Sequence, residues 1–243
     1  MKLSIIIPCY NEQEGINYLY TQLNPILEIL EKTWKLELIF VDDGSTDKTN
    51  KLIREYFGKL SYIKIIKHHK NRNLGASIRT GFENSEGDVI ITMDSDCTYD
   101  PKEIFKLIEL LDEETDIVTA SPYHPKGRVK NVPEYRLLLS KSISLIYRVI
   151  TKSKIHTFTA LFRIHKRKVI ENINFKSNNF LATAEIIIYA LMKGYKVKEY
   201  PTTLQVRKYG CSKMKLFLVI KSHLKFVIKL IKERIFIKKK KGE

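Results

Sequence analysis

Val89-Ile90-Ile91-Thr92-Met93-Asp94-Ser95-Asp96 is the stretch whose reading decides the fold. Its unbroken apolar run reads as a strand buried on both faces of a sheet, because a half-exposed strand would alternate apolar with polar. Two carboxylates one residue apart then emerge at the C-terminal end of that strand, the edge where open α/β sheets bind ligands. The spacing lets Asp96 reach a hard divalent cation while Asp94 stays within hydrogen-bonding range of a ribose or a metal-bound water. In the competing reading Asp-Ser-Asp is a turn that caps a helix beginning near Pro101.

Working upstream, residues 3–7 form a strand stopped by Pro8, with Pro8-Cys9-Tyr10-Asn11-Glu12 as the loop leaving it. A helix is expected from about 13 to 31, kinked or split at Pro25. Residues 36–41 form a second strand that delivers Asp42-Asp43-Gly44-Ser45 to the same edge. Ser45 or Thr46 is expected to cap the next helix, with Asp47 in its first turn. A short strand at 62–67 and a helix reaching Asn84 complete the approach. Strand and helix alternate at roughly 25–30 residues per unit, the rhythm of right-handed crossovers in a parallel sheet.

Downstream, Pro101 opens a helix to about 111, and a strand follows at 116–120. Residues 121–127 are a loop rich in turn formers. Helical spacing returns at 134–150, on a face edged by Arg136, Lys141 and Arg148. A strand is expected at 160–164, a helix from 183 with Glu185 in its first turn, a strand at 197–200, and a last helix over about 215–237. The reading is α/β: a mostly parallel central sheet flanked by helices, with a domain at 1–214 and a basic amphipathic helix at 215–243.

Charge is divided unevenly along the 243 residues, whose formal net charge is +16. Residues 1–120 hold 14 Lys and Arg against 21 Asp and Glu, whereas residues 121–243 hold 29 against 6. The second half is therefore suited to an anionic partner, lipid or nucleic acid. In the last helix Lys221, Lys225, Lys229 and Lys232 run beside a broad apolar face, followed by four lysines at 238–241. Duplex binding needs no such apolar face, and an amphipathic helix lying on anionic lipid needs both, so a membrane surface is expected and no nucleic acid. Cys9, Cys97 and Cys211 lack metal-ligand spacing and read as reduced cytosolic thiols. No signal peptide is expected, and no apolar run approaches the roughly 20 residues of a membrane span. The expected location is the cytoplasmic face of the membrane, held peripherally.

Ile7-Pro8-Cys9-Tyr10-Asn11-Glu12, Val41-Asp42-Asp43-Gly44-Ser45 and Met93-Asp94-Ser95-Asp96, in this order at successive strand ends, resemble the family 2 glycosyltransferases of GT-A fold. Within that family the chain looks like the dolichyl-phosphate mannosyltransferase and polyprenyl-phosphate glycosyltransferase branch, over about residues 1–215. The resemblance implies transfer of a sugar from a nucleotide sugar, GDP-mannose or a UDP-hexose, to a polyprenyl or dolichyl phosphate, with Mg²⁺ or Mn²⁺. It implies a nucleotide-sugar site of Pro8, Tyr10, Glu12, Val41, Asp43, Asp94, Ser95, Asp96 and Thr98, with Asp96 as the metal ligand. Tyr10 offers a stacking surface and Asp43 an acceptor for a base N–H, although Tyr10 also reads as plain packing. Arg207 and Lys213 match the family's Arg-x-x-x-Gly-x-Ser-Lys loop over the donor diphosphate, where a cation offsets charge on the leaving group. Arg136 and Ser140 match the acceptor-phosphate contacts, or are solvated edge residues of an amphipathic helix.

Two departures touch the acceptor. The family's Arg in Ser-Arg-Tyr is Pro122 here, and its Gln after the second Asp is Thr98. Lys126, Arg128 or Arg163 could restore the lost charge. A hydroxyl acceptor of a glycan or glycolipid remains the alternative, and it would need a base, for which Glu185 is the candidate. A lipid phosphate is already anionic and needs none.

Overall fold

The structure, a computed structural model, describes residues 1–210 and 216–240, with the side chains of the last helix described as far as Glu233. Seven strands make the main sheet: β1 (Lys2–Cys9), β2 (Lys35–Asp42), β3 (Ile63–Lys67), β4 (Val89–Thr92), β5 (Ile117–Ser121), β7 (Arg163–Lys166) and β8 (Val197–Pro201). Their order is β3-β2-β1-β4-β7-β5-β8. All neighbours are parallel except β7, which runs antiparallel to both β4 and β5. Two short strands, β6 (Arg128–Lys130) and β9 (Thr203–Gln205), pair apart from it.

Successive side chains of a strand point to opposite faces, and the core divides accordingly. Leu3, Ile5 and Ile7 of β1 join Leu38 and Phe40 of β2 and Ile91 of β4 on one face. They pack under α1 (Ile16–Leu30), α2 (Thr49–Phe57) and α4 (Ile104–Leu110). Ile6, Ile39, Val41 and Ile90 point the other way, against α3 (Leu74–Glu83) and α7 (Leu181–Met192). Gly81 of α3 lies so close to β1 that a Cβ there would stand 2.3 Å from Ile6 Cγ2.

A third cluster joins α7 to α5 (Glu134–Thr151) and to the last helix, α8 (Leu216–Lys240). Phe226 and Leu230 of α8 are buried there beside Tyr147 of α5 and Ile187 of α7. Tyr147 Oη and His223 Nδ1 hydrogen-bond at 2.7 Å. The helix thus carries a buried stripe as well as an exposed one, formed by Phe217, Leu224, Ile228 and Ile231. α5 likewise exposes Leu138, Leu145 and Val149.

Local expectations were corrected in several places. α1 is continuous through Pro25, whose position is exposed, so solvent can serve the carbonyl that lost its partner. α2 begins at Thr49 with no side-chain cap at Lys48; Ser45 and Thr46 are occupied by Asn11 instead, and Asp47 Oδ1 accepts from Thr49 N at 2.9 Å. The strand expected at 160–164 lies at Arg163–Lys166, because residues 159–161 leave the ladder to line two cavities. α7 starts at Leu181, two residues early, which moves Glu185 out of the first turn. A short helix, α6 (Arg167–Asn172), occupies part of the stretch read only as basic.

Candidate active site

The C-terminal ends of β1, β2 and β4 meet at a polar cavity of about 510 Å³, walled by Pro8, Tyr10, Glu12, Asp43 and Asp94-Ser95-Asp96. The loops that supply these residues are laced together. Asn11, at φ 51°, receives Thr46 N on its Oδ1 (2.9 Å) and gives its own N–H to Ser45 Oγ (3.0 Å). Glu12 N donates to Thr49 Oγ1 at 2.8 Å. Gly44 sits at φ +72°, and a Cβ there would lie 2.5 Å from the Lys70 carbonyl carbon, so only glycine fits.

The two carboxylates at the end of β2 do different work. Asp42 is fully buried and accepts from Ser45 N (2.8 Å) and Asn50 Nδ2 (2.9 Å), bracing the turn into α2. Asp43 faces the cavity, and its Oδ1 is fixed by His68 Nδ1 (2.7 Å) and Arg72 N (2.9 Å). His68 Nε2 is anchored in turn by Thr80 Oγ1 at 3.0 Å. A carboxylate so held presents its other oxygen in a fixed direction, as recognition of a base N–H requires.

At the end of β4, Asp96 Oδ1 accepts from Thr98 N (3.1 Å) across a turn in which Cys97 takes φ 52°. Its Oδ2 pairs with Arg207 Nη2 at 2.8 Å, and Arg207 Nη1 reaches Glu12 Oε1 at 3.2 Å. The helix-capping task in the competing reading belongs to Asp100, whose Oδ1 accepts from Lys102 N at 2.9 Å. Asp94 therefore stays clear of the cap. Burial, and then the charge of Asp96, push the Asp94 carboxyl up from its ordinary range. Arg207 is paired to Asp96, and among the described residues no Lys or Arg pairs with Asp94, so the two carboxylates fit a divalent cation, with Asp96 and Asp94 as the residues to hold it.

Asp94 also borders a second, mostly apolar cavity of about 420 Å³, lined by α5, α8 and the loop after β5. Leu74, Leu161, Phe180 and Val219 line both cavities, so the two adjoin at Asp94. Arg136 and Ser140 lie on this second wall, and Ser140 Oγ hydrogen-bonds Thr159 Oγ1 at 2.8 Å. Among the described residues Arg136 is the only Lys or Arg lining it. Thr98 faces this side too.

Several expected residues sit elsewhere. Val41 is fully buried among Ile6, Ile39 and Ile78 and lines neither cavity. Glu185 is buried behind the site, where its Oε2 accepts from Lys176 N (3.1 Å) and Ser177 N (2.8 Å). That placement makes it a brace for the loop before α7 and removes it as a base facing an acceptor. Arg163, offered as a substitute cation, is also buried; it donates to Thr119 Oγ1, Phe158 O and Thr183 O, and burial lowers its pKa to about 9. Lys126 and Arg128 are exposed and line neither cavity. Lys213 lies outside the described residues.

Other wall residues carried no signal in the sequence. Asn71 and Asn73 enter the polar cavity from the turn into α3, Ser77 from the first turn of α3 itself, and Asn179 and Phe180 from the turn into α7. Val219, Ile220 and His223 bring α8 into the apolar wall, a role beyond the lipid-facing one expected of that helix.

The sheet order, with one antiparallel strand inserted beside the acidic strand end, is that of a GT-A fold. Glucosyl-3-phosphoglycerate synthase of Mycobacterium tuberculosis, crystallised with uridine diphosphate, superposes with a TM-score of 0.72 at 15% identity, over 94% of this chain and 79% of that one. A second crystal structure of that protein contains Mn²⁺, uridine diphosphate and glucosyl-3-phosphoglycerate (TM-score 0.69, 15% identity). Residues 4–173 match the description Glycosyl transferase family 2, and the chain belongs to that family. Dolichol-phosphate mannosyltransferase of Pyrococcus furiosus is 34% identical over 88% of this chain, which spans 60% of that protein's length. Polyprenol monophosphomannose synthase of Mycolicibacterium smegmatis is 30% identical over 86% of this chain and 80% of its own.

Proposed function

We propose that the protein transfers a hexose from a nucleoside-diphosphate sugar to a polyprenyl phosphate. One observation carries this reading: a polar cavity with Asp43, Asp96 and Arg207 meets, at the carboxylate of Asp94, an apolar cavity whose one cation among the described residues is Arg136. A nucleoside diphosphate needs the first kind of wall, and an isoprenoid chain ending in a phosphate needs the second. The names of the Pyrococcus and Mycolicibacterium relatives, a dolichol-phosphate mannosyltransferase and a polyprenol monophosphomannose synthase, support an isoprenoid phosphate as the acceptor.

In the reaction the bond from the anomeric carbon to the donor diphosphate breaks, and the nucleoside diphosphate leaves with the electron pair. An acceptor phosphate oxygen attacks from the opposite face, inverting the anomeric centre. Tyr10 and Asp43 hold the base, Glu12 and Ser95 shape the diphosphate end, and Arg207 neutralises charge on the leaving group. Arg136, with Ser140, holds the acceptor phosphate in line. Asp96, with Asp94, would hold Mg²⁺ or Mn²⁺, which would supply further positive charge to the diphosphate. No proton has to be removed from an anionic nucleophile, consistent with Glu185 facing away.

The protein works at the cytoplasmic surface of a membrane in this reading. Among the described residues no helix is long and apolar enough to cross one. The exposed apolar stripes of α5 and α8, bordered by Lys221, Lys225 and Lys232, suit a peripheral contact with an anionic leaflet rather than nucleic acid. The test is a transfer assay with GDP-mannose, UDP-glucose and UDP-N-acetylglucosamine against polyprenyl phosphate and free polyprenol. Product from the phosphate alone is expected; transfer to polyprenol at equal rate overturns the acceptor assignment.

A further inference from the structure

Next in the chain to Tyr123 and Thr157, which line the apolar cavity, His124 and His156 join Glu199, and each of the three places one ligand atom within 4.8 Å of the others. Glu199, on β8, has a side chain only 7% exposed, and among the described residues no Lys or Arg pairs with it. Its Oε1 is fixed by three donors: Ser121 Oγ (2.6 Å), His156 N (2.8 Å) and Thr157 N (3.0 Å). Its Oε2 is joined to His156 Nδ1 at 2.7 Å. The His124 ring stands edge-on to that of His156, with centroids 5.3 Å apart, and its Nδ1 accepts from Lys126 N at 3.2 Å, which leaves Nε2 available.

A buried carboxylate without a fixed cation is costly unless something positive meets it. Here the group beside it is an imidazole, and a second imidazole stands over the first. We propose that His124, His156 and Glu199 form a second metal site, apart from the carboxylates at the end of β4, which takes Zn²⁺ or a similar borderline cation. Two nitrogens and one oxygen suit such an ion better than Mg²⁺ or Mn²⁺. Bonds of about 2.0–2.2 Å in a tetrahedral site hold ligand atoms about 3.4 Å apart, so the three need only small movements. The ion takes the place of the proton between His156 Nδ1 and Glu199 Oε2, the neutral ring carries its one proton on Nε2 instead, and water completes the shell.

The site clips the loop after β5 to the segment that follows α5. Pro122 and Tyr123 on one side of the clip, and Thr157 on the other, line the apolar cavity. Occupancy therefore fixes the part of the apolar wall formed by Pro122, Tyr123 and Thr157, none of which lines the polar cavity.

The test is Zn²⁺ titration of the tag-free, chelator-stripped full chain by calorimetry, with Co²⁺ absorption as a second readout of nitrogen ligation. Wild type should bind one equivalent, and Asp96→Ala should still bind it. His124→Ala, a change at a half-exposed loop residue, should weaken binding at least tenfold, and Glu199→Gln should do the same. Zn²⁺ should raise the melting temperature of wild type and not of His124→Ala. Absence of binding, binding lost in Asp96→Ala, or affinity unchanged in His124→Ala each overturns the proposal.

Discussion

Arg136→Ala should raise the KM for a polyprenyl phosphate by about ten- to a hundredfold and leave the KM for the nucleotide sugar nearly unchanged. Arg136 is the one cation on the apolar wall among the described residues, and its Nε is engaged only by the Tyr135 hydroxyl at 3.2 Å. Its guanidinium nitrogens can thus be given to an anion. A hydrogen bond to a charged group contributes about 1.5–3 kcal/mol. At about 1.4 kcal/mol per factor of ten, the loss corresponds to the range stated. Arg136→Lys should recover part of it, because the point charge remains while the planar fork is lost. Initial rates with a detergent-dispersed acceptor and labelled donor, each substrate varied at saturation of the other, read the two constants separately. Equal effects on both substrates, or none on the acceptor, would refute the assignment of this wall to the acceptor phosphate.

Asp96→Ala should abolish the Mn²⁺-dependent part of nucleoside diphosphate binding while the melting temperature stays near wild type, checked by calorimetry with and without Mn²⁺; retained Mn²⁺ dependence would place the cation elsewhere. Acid stability should depend on Glu37. Burial alone would raise its pKa, but hydrogen bonds from Lys64, Ser4, Glu86 N and Lys2 win and hold it at about 2. Its contribution, about 2–3 kcal/mol, is therefore full above the ordinary carboxylate range and is lost as pH falls from about 4.5 toward 2. Denaturant melts from pH 6 to 2.5 should show a shallower acid decline in Glu37→Gln. The two stripes of α8 should separate: Phe226→Ala should cost about 3–5 kcal/mol in a denaturant melt, whereas Ile228→Ser with Ile231→Ser should leave stability intact and reduce pelleting with anionic vesicles. An unstable surface variant, or vesicle binding indifferent to it, would count against the lipid-facing stripe.

Much of the fold was legible because buried parallel strands write themselves as apolar runs: β1, β2 and β4 were located to within a residue or two, and each carried its acids to one edge. The antiparallel β7 was displaced in the reading because Ala160 and Leu161 are as apolar as a strand. In the structure Leu161 O accepts from Thr92 Oγ1 rather than from a neighbouring strand's ladder, and Ala160 and Leu161 line the cavities. α8 was half legible. Its lysines and apolar positions were plain, but three stripes on one helix cannot be told from two by hydropathy alone. Glu185 failed for a related reason: an acidic residue near a helix start fits a base, a cap and a loop brace equally, and only its bonds to Lys176 N and Ser177 N decide. The asparagines lining the polar cavity carried turn signals, which hid their second use.

The end of β2 has a consequence for how this site can change. Asp42 and Asp43 are neighbours in the chain yet serve opposite sides of the sheet, one gripping the turn into α2 and the other meeting the cavity beside His68. The pleat alone assigns those jobs. A single-residue deletion anywhere along β2 would slide the scaffold's acid into the ligand's place and the ligand's acid into the scaffold, with the composition of the loop almost untouched. Such a site tolerates a change of side chain more readily than a change of length. Insertions and deletions compatible with activity belong in the connections at the other end of the sheet, where no functional phase has to be kept.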